Sequence, residues 1–321
     1  MNPAFSVVFL TTLSGAGQGL LIALVGVEAA SRLGFGLGFG DAAAVPQMFY
    51  VVGAALSCVL GALGLLASFF HLGHPERAWR AIAMWRTSWL SRECLCLPAF
   101  LACTFAYGVA HAFATPYTLY VGVIAVVASG LLFICTGMIY ACLRFLQEWA
   151  TPLTLVNFVL LGCASGFTLA TACAAWFAPA LIGPLAVGAC GLTVAGCASR
   201  VASLMRNARL RPKSTVQSAT GIRGAHVEQK SRGFTAGAFN LREFFHGKTP
   251  QTLKRIKWTF LIAAFVVPFC LIVSGGSVRS IGLSFVLLCA ASVIQYAGLV
   301  AERWFFFAEA RHPQNLYYRQ A

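Results

Sequence analysis

The sequence predicts an all-α fold of eight transmembrane helices with both termini in the cytoplasm, and three observations predict it. Composition is the first: 59% of the 321 residues are apolar and only 10% are charged, against roughly 25% charged in an ordinary soluble domain. A soluble fold of this size cannot bury so much apolar surface, which excludes a cytosolic enzyme, a disordered tail and a fibrous repeat. The second is the length of the uncharged runs, each of which accommodates one or two helices at about 20 residues per crossing. The third is the sorting of the few charges, nearly all of which fall on one side of the resulting layout.

Taken in order, the uncharged stretch up to Val27 holds one crossing, and Ala42 to Pro75 a second that ends near His71. Cys94 to Leu143 is 50 uncharged residues, too long for one helix, and it breaks at His111, Thr115 and Pro116. Trp149 to Ser199 is 51 uncharged residues and breaks at Pro179, Gly183 and Pro184. Trp258 to Val278 and Ser280 to Ala301 complete the set, with a Gly-Gly-Ser turn and Arg279 between them. The spans therefore lie at about 5–30, 45–70, 93–113, 117–142, 152–176, 180–199, 258–278 and 280–301, in a single membrane domain. The first run lacks a basic leader and reads as a retained span. Strand-like alternation in segments of about ten residues is absent, so helices satisfy the backbone.

With eight spans the N-terminus, three loops and the C-terminal tail share one side, and that side carries 21 of the 23 Lys and Arg residues. The positive-inside rule places it in the cytoplasm, and the expected location is a bacterial inner membrane. The net charge of +14 thus marks topology, not nucleic-acid binding. The basic loop 200–257 holds 13 basic and two acidic residues. It reads either as a lipid-facing topology determinant or as a docking surface for an acidic partner, with Lys254 and Arg255 as docking candidates and Asn240 to His246 as a short amphipathic helix. The cytoplasmic tail is 302–321.

The 12 cysteines fall mostly inside spans as small apolar residues, and no C-x-x-C spacing is present, so neither zinc nor an iron–sulfur cluster is expected on this chain. The six His do not supply a bis-His pair at one depth, so no haem is expected. Glu28, four residues before Arg32, reads as a helix-end ion pair. Asn157 and Gln295 are the best candidates for midplane polar groups of a transporter, and interhelical hydrogen bonds are their more ordinary use.

One cytoplasmic segment stands apart. From Phe69 to Glu93 it carries two His, two Glu, four Arg and three Trp. As a headgroup belt it would need no further role, since Trp and Arg are enriched there. As a site, His71 and Glu93 sit at span ends where water is scarce, and an ionisable residue at that depth is a functional candidate. A His beside a carboxylate can exchange protons with a ring carbonyl while Trp forms a flat apolar slot, which is what quinone chemistry needs. His74, Trp85, Trp89 and Ser91 complete this candidate pocket, and Arg80, Arg86 and Arg92 are candidates for docking a partner.

The spacing of His71, Leu72, Gly73, Pro75, Arg77 and Ala78, followed by Ser88, Leu90, Ser91 and Glu93, resembles the quinone-site loop of the membrane anchor subunits of dimethyl-sulfoxide-reductase-type molybdoenzymes. Ser14 to Gln18 resemble the first helix of that family, and the span plan matches along almost the whole chain. The resemblance implies a haem-free anchor exchanging electrons between quinone (ubiquinone or menaquinone) and a four-cluster iron–sulfur subunit. That subunit in turn serves a catalytic subunit with a molybdenum bis-pterin cofactor. It implies His71, Glu93 and Arg77 as quinone-pocket residues; His74, Arg80, Trp85 and Trp89 fall outside its pattern.

Within the family the loop faces the same side as the soluble arm, and the charge count puts it inside. That orientation, and a tail from Ala301 to Tyr318 similar to that branch, point toward the anchors of cytoplasmic sulfite dehydrogenases. An anchor that oxidises quinol for a reductase, a structural anchor without a quinone site, and a membrane transporter are the other readings. A transporter would show broken helices or polar groups at the midplane, often with repeats; no repeat and no midplane carboxylate is evident.

Overall fold

The computed structural model describes residues 1–34, 45–70, 72–211, 215–224 and 246–316. Among them the chain is helical without strands, and eight helices are long and apolar enough to cross a membrane. They are α1 (Phe5–Arg32), α2 (Gln47–Phe69), α3 (Trp89–Ala112), α4 (Thr118–Ala141), α5 (Pro152–Phe177), α6 (Ile182–Ala208), α8 (Pro250–Ser277) and α9 (Ile281–Glu309), with a short α7 (Val216–Thr220) between the sixth and seventh spans. The breaks fall where turn chemistry demands them. Thr151 caps α5 ahead of Pro152, and Ser280 caps α9 by accepting the Leu283 amide.

The helices form two groups of four. α1 to α4 make one and α5, α6, α8 and α9 the other, joined chiefly by α1 against α5. α1 is the most enclosed span, and its small residues explain why. Lipid gives helices no hydrophobic reason to associate, so close backbone approach supplies the attraction. A Cβ on Gly19 would overlap the Gly162 carbonyl of α5, and one on Gly166 would overlap Gly19. On the other flank Ser57 Oγ of α2 donates to the Gly17 carbonyl at 2.7 Å.

The second group has its own irregularity. α8 contains a π-helical turn at Ile262–Val266, which loosens the backbone ladder and frees carbonyls. Gln295 of α9 uses one: its Nε2 donates to Ala264 O at 3.4 Å and to Thr193 Oγ1 of α6 at 3.1 Å. Asn157 likewise donates to Ser203 Oγ at 2.8 Å. Both polar residues make the interhelical bonds expected of them.

Helix ends differ from the sequence reading in one respect that matters. α9 runs on to Glu309 and α6 to Ala208, so Arg200, Glu302 and Arg303 lie within helices, each nearly fully buried. The Met1 nitrogen donates to Ala310 O at 2.9 Å, so the start of α1 and the end of α9 meet at one end of the bundle. The α2–α3 loop opens at that same end.

Candidate functional site

From His74 onward the α2–α3 connection is held by local hydrogen bonds. Pro75 opens a single 3-10 helix, Pro75–Ile82, that buries none of its residues. Turns follow, closed by the Ser88 amide on Met84 O at 2.9 Å. Ser88 then caps α3, its Oγ accepting the Ser91 amide at 3.3 Å, a standard way to satisfy a free helix N-terminus. Ser91 itself is buried.

Two sets of candidates separate here. On the 3-10 helix, His74 Nδ1 lies 3.0 Å from Glu76 Oε1 and Arg77 Nε 3.8 Å from the same oxygen, all three well exposed. Arg80 and Arg86 are also exposed, their guanidiniums 5.5 Å from the ring centroids of Trp79 and Trp85. These pairs suit a headgroup or partner surface. At the start of α3, by contrast, Ser91 and Glu93 are buried, and Trp89 and Arg92 are half-buried. Arg92 reaches back to the loop, donating from Nε to Trp85 O at 2.9 Å and from Nη2 to Arg86 O at 2.7 Å. Its guanidinium also lies 4.3 Å from the Trp89 ring centroid. His71 falls outside the described residues, as do most of Asn240 to His246 and the tail from residue 317. Lys254 and Arg255 are exposed on the first turns of α8.

Glu93 is buried against α4, where Thr136 Oγ1 donates to its Oε1. One turn deeper, Cys96 and Cys135 bring their sulfurs within 3.8 Å. Tyr140, one turn past Thr136 on α4, leads into an aromatic cluster with Trp149, Phe158, Phe306 and Phe307 that cements the two groups at this end. Trp149 is fixed there by its Nε1 bond to Phe306 O at 3.0 Å.

Comparison with the other buried carboxylates sets Glu93 apart. Glu28 accepts from Tyr107 Oη at 2.9 Å, meets His111 Nε2 at 3.2 Å, pairs with Arg32 at 2.9 Å, and receives the Thr118 hydroxyl. The helix-end pair read from the i, i+4 spacing is therefore one bond of a closed knot that ties α1, α3 and α4. His111 adds α2 by stacking on Tyr50 at 4.3 Å and by accepting from Gln47 with its carbonyl. Glu302 pairs with Arg200 at 2.6 Å and lies 3.9 Å from Arg303, while Arg200 also approaches Glu309 at 3.7 Å. Arg303 packs over the Phe158 ring at 3.7 Å. Glu93 makes no ion pair among the described residues, although it is buried to a similar degree.

Sequence reasoning missed both charged knots as knots. Glu28 and Arg32 are visible as a spaced pair, but Tyr107, His111 and Thr118 are on other helices. Arg200 and Glu302 are 102 positions apart, and no local pattern joins them.

The DMSO reductase anchor subunit (DmsC) family matches this chain over residues 1–318. The chain is also similar to a sulfite dehydrogenase subunit from Allochromatium vinosum, at 51% identity over 99% of each chain.

Proposed function

Because the chain belongs to the DMSO reductase anchor subunit family, we propose that it is the quinone-reactive anchor of a molybdenum and iron–sulfur oxidoreductase, with sulfite as electron donor. The observation that carries this reading is Glu93, a buried carboxyl at the mouth of the α2–α3 loop that no cation fixes among the described residues. A carboxyl that the Thr136 hydroxyl holds without a cation among the described residues is suited to pass a proton between water and a bound ring carbonyl, whereas Glu28 and Glu302 are held as structural charges.

In this reading the molybdenum subunit oxidises sulfite to sulfate, and two electrons travel through a four-cluster iron–sulfur subunit to quinone. Two protons enter from the cytoplasm, and the quinol leaves into the bilayer. Glu93 and His71 exchange protons with the quinone oxygens, Trp85, Trp89 and Ser91 shape the slot, and Arg77 and His74 line its approach. Arg80, Arg86, Lys254 and Arg255 offer exposed positive charge to the iron–sulfur subunit. Both termini, this loop and the soluble arm lie on the cytoplasmic side of a bacterial inner membrane, as the sorting of 21 of 23 basic residues indicates. The relative's name supports sulfite as the donor.

The test is direct. The purified complex should reduce a short-chain ubiquinone with sulfite, one quinol per sulfite consumed. A complex that oxidises sulfite with an artificial acceptor yet leaves quinone untouched, or that has no sulfite activity, sinks the corresponding half of the proposal.

A further inference from the structure

We infer that Arg92 is a positioning residue for the quinone slot, not a docking charge, and this rests on the quinone reading of Glu93. Its placement is unfavourable on local grounds. Arg92 sits in the first turn of α3, where the positive end of the helix dipole disfavours a cation. A cation retained there needs compensating bonds, and the structure supplies them.

Two of its N–H groups end on the carbonyls of Trp85 and Arg86, at 2.9 Å and 2.7 Å. These are charge-assisted bonds, about twice as strong as neutral ones. The same guanidinium lies over the Trp89 ring, its central carbon 4.3 Å from the ring centroid. One side chain thus fastens the loop backbone at Trp85, orients the Trp89 ring, and precedes Glu93 directly in sequence. Arg80 and Arg86 do neither: each sits exposed beside its neighbouring Trp, and they remain available to a partner. Without the Arg92 fork the 85–89 turn would lose two bonds that tie its backbone to α3 and keep its local turn and cap bonds, and quinone binding would have to order it. The loss should therefore appear as weaker quinone binding, since Glu93, which exchanges the proton, is untouched.

Arg92→Gln and Arg92→Lys separate the possibilities in the intact complex. Lysine keeps the charge, hence any docking attraction, but cannot reproduce the planar fork. Both variants should raise KM for a short-chain ubiquinone, about tenfold or more in Gln, with kcat changed far less. Sulfite oxidation by ferricyanide and the amount of soluble subunits on the membrane should stay as in the parent. An unchanged quinone KM in assembled Arg92→Lys overturns the inference, whether or not Arg92→Gln accumulates. Loss of the soluble subunits in Arg92→Gln with their retention in Arg92→Lys, and a parental KM, returns Arg92 to docking. Glu93→Gln run alongside keeps the two readings apart. If it too leaves quinone turnover intact, the quinone site itself is wrong; if it alone fails, only the role of Arg92 is.

Discussion

At the scale of single residues, the molecule treats its buried carboxylates in two ways. Glu28 and Glu302 are held by Arg, His, Tyr or Thr groups from other helices, while Glu93 has one hydroxyl donor among the described residues. Removing one member of a buried ion pair strands the other, which typically costs about 3–5 kcal/mol. Arg200→Leu should therefore lower the thermal midpoint of the detergent-solubilised protein sharply, and Arg200→Leu combined with Glu302→Leu should recover much of the loss. If the single and double variants are equally destabilised, the pair is not what holds α6 to α9. Thr136→Val should leave folding nearly intact and change the pH profile of quinone turnover, because it removes the hydroxyl bound to Glu93; an unaltered profile would separate Thr136 from the chemistry. Glu93 was legible in the sequence because an acid opens an otherwise apolar span. Thr136 was not, because it lies 43 residues away and looks like any small residue of a membrane helix.

At the scale of elements, the spans could be read because each uncharged run is long enough for one crossing or for two, a constraint the bilayer imposes on the chain directly. Their ends were harder. Charge at Glu302 and Arg303 suggested that α9 stops at the membrane edge, yet the helix continues to Glu309 because Arg200 of α6 compensates that charge. The π turn of α8 carries no local signature either; its reason is the carbonyl given to Gln295 and the close passage of Gly298. Small residues on α1 were likewise open to many uses until α5 was placed against them. Gly166→Leu should push α1 from α5 and prevent stable accumulation in the membrane. Gly183→Leu, a position with open space around it, should be tolerated, and equal damage from both would deny that the α1–α5 crossing is what matters.

At the scale of the whole molecule, the two groups of four helices divide the labour. The first carries the α2–α3 loop at one end and the Glu28 knot at the other, so the site sits on a frame pinned at its far end. The second group, held by the Arg200–Glu302 knot and the aromatic cluster, braces α4, whose Thr136 touches Glu93. Charge sorting predicts the orientation of this frame: a reporter fused at Arg279 should face away from the cytoplasm, and one fused at Arg144 should face it. The reverse pattern would move the α2–α3 loop to the other face and with it the proposed docking side of the soluble subunits. The central claim, that quinone reacts at the α2–α3 loop, is tested most directly by paired turnover measurements on the assembled Glu93→Gln and His71→Ala complexes. Both should lose quinone-coupled sulfite oxidation while the artificial-acceptor rate remains at the parental level; parental quinone kinetics in both would place the reaction elsewhere.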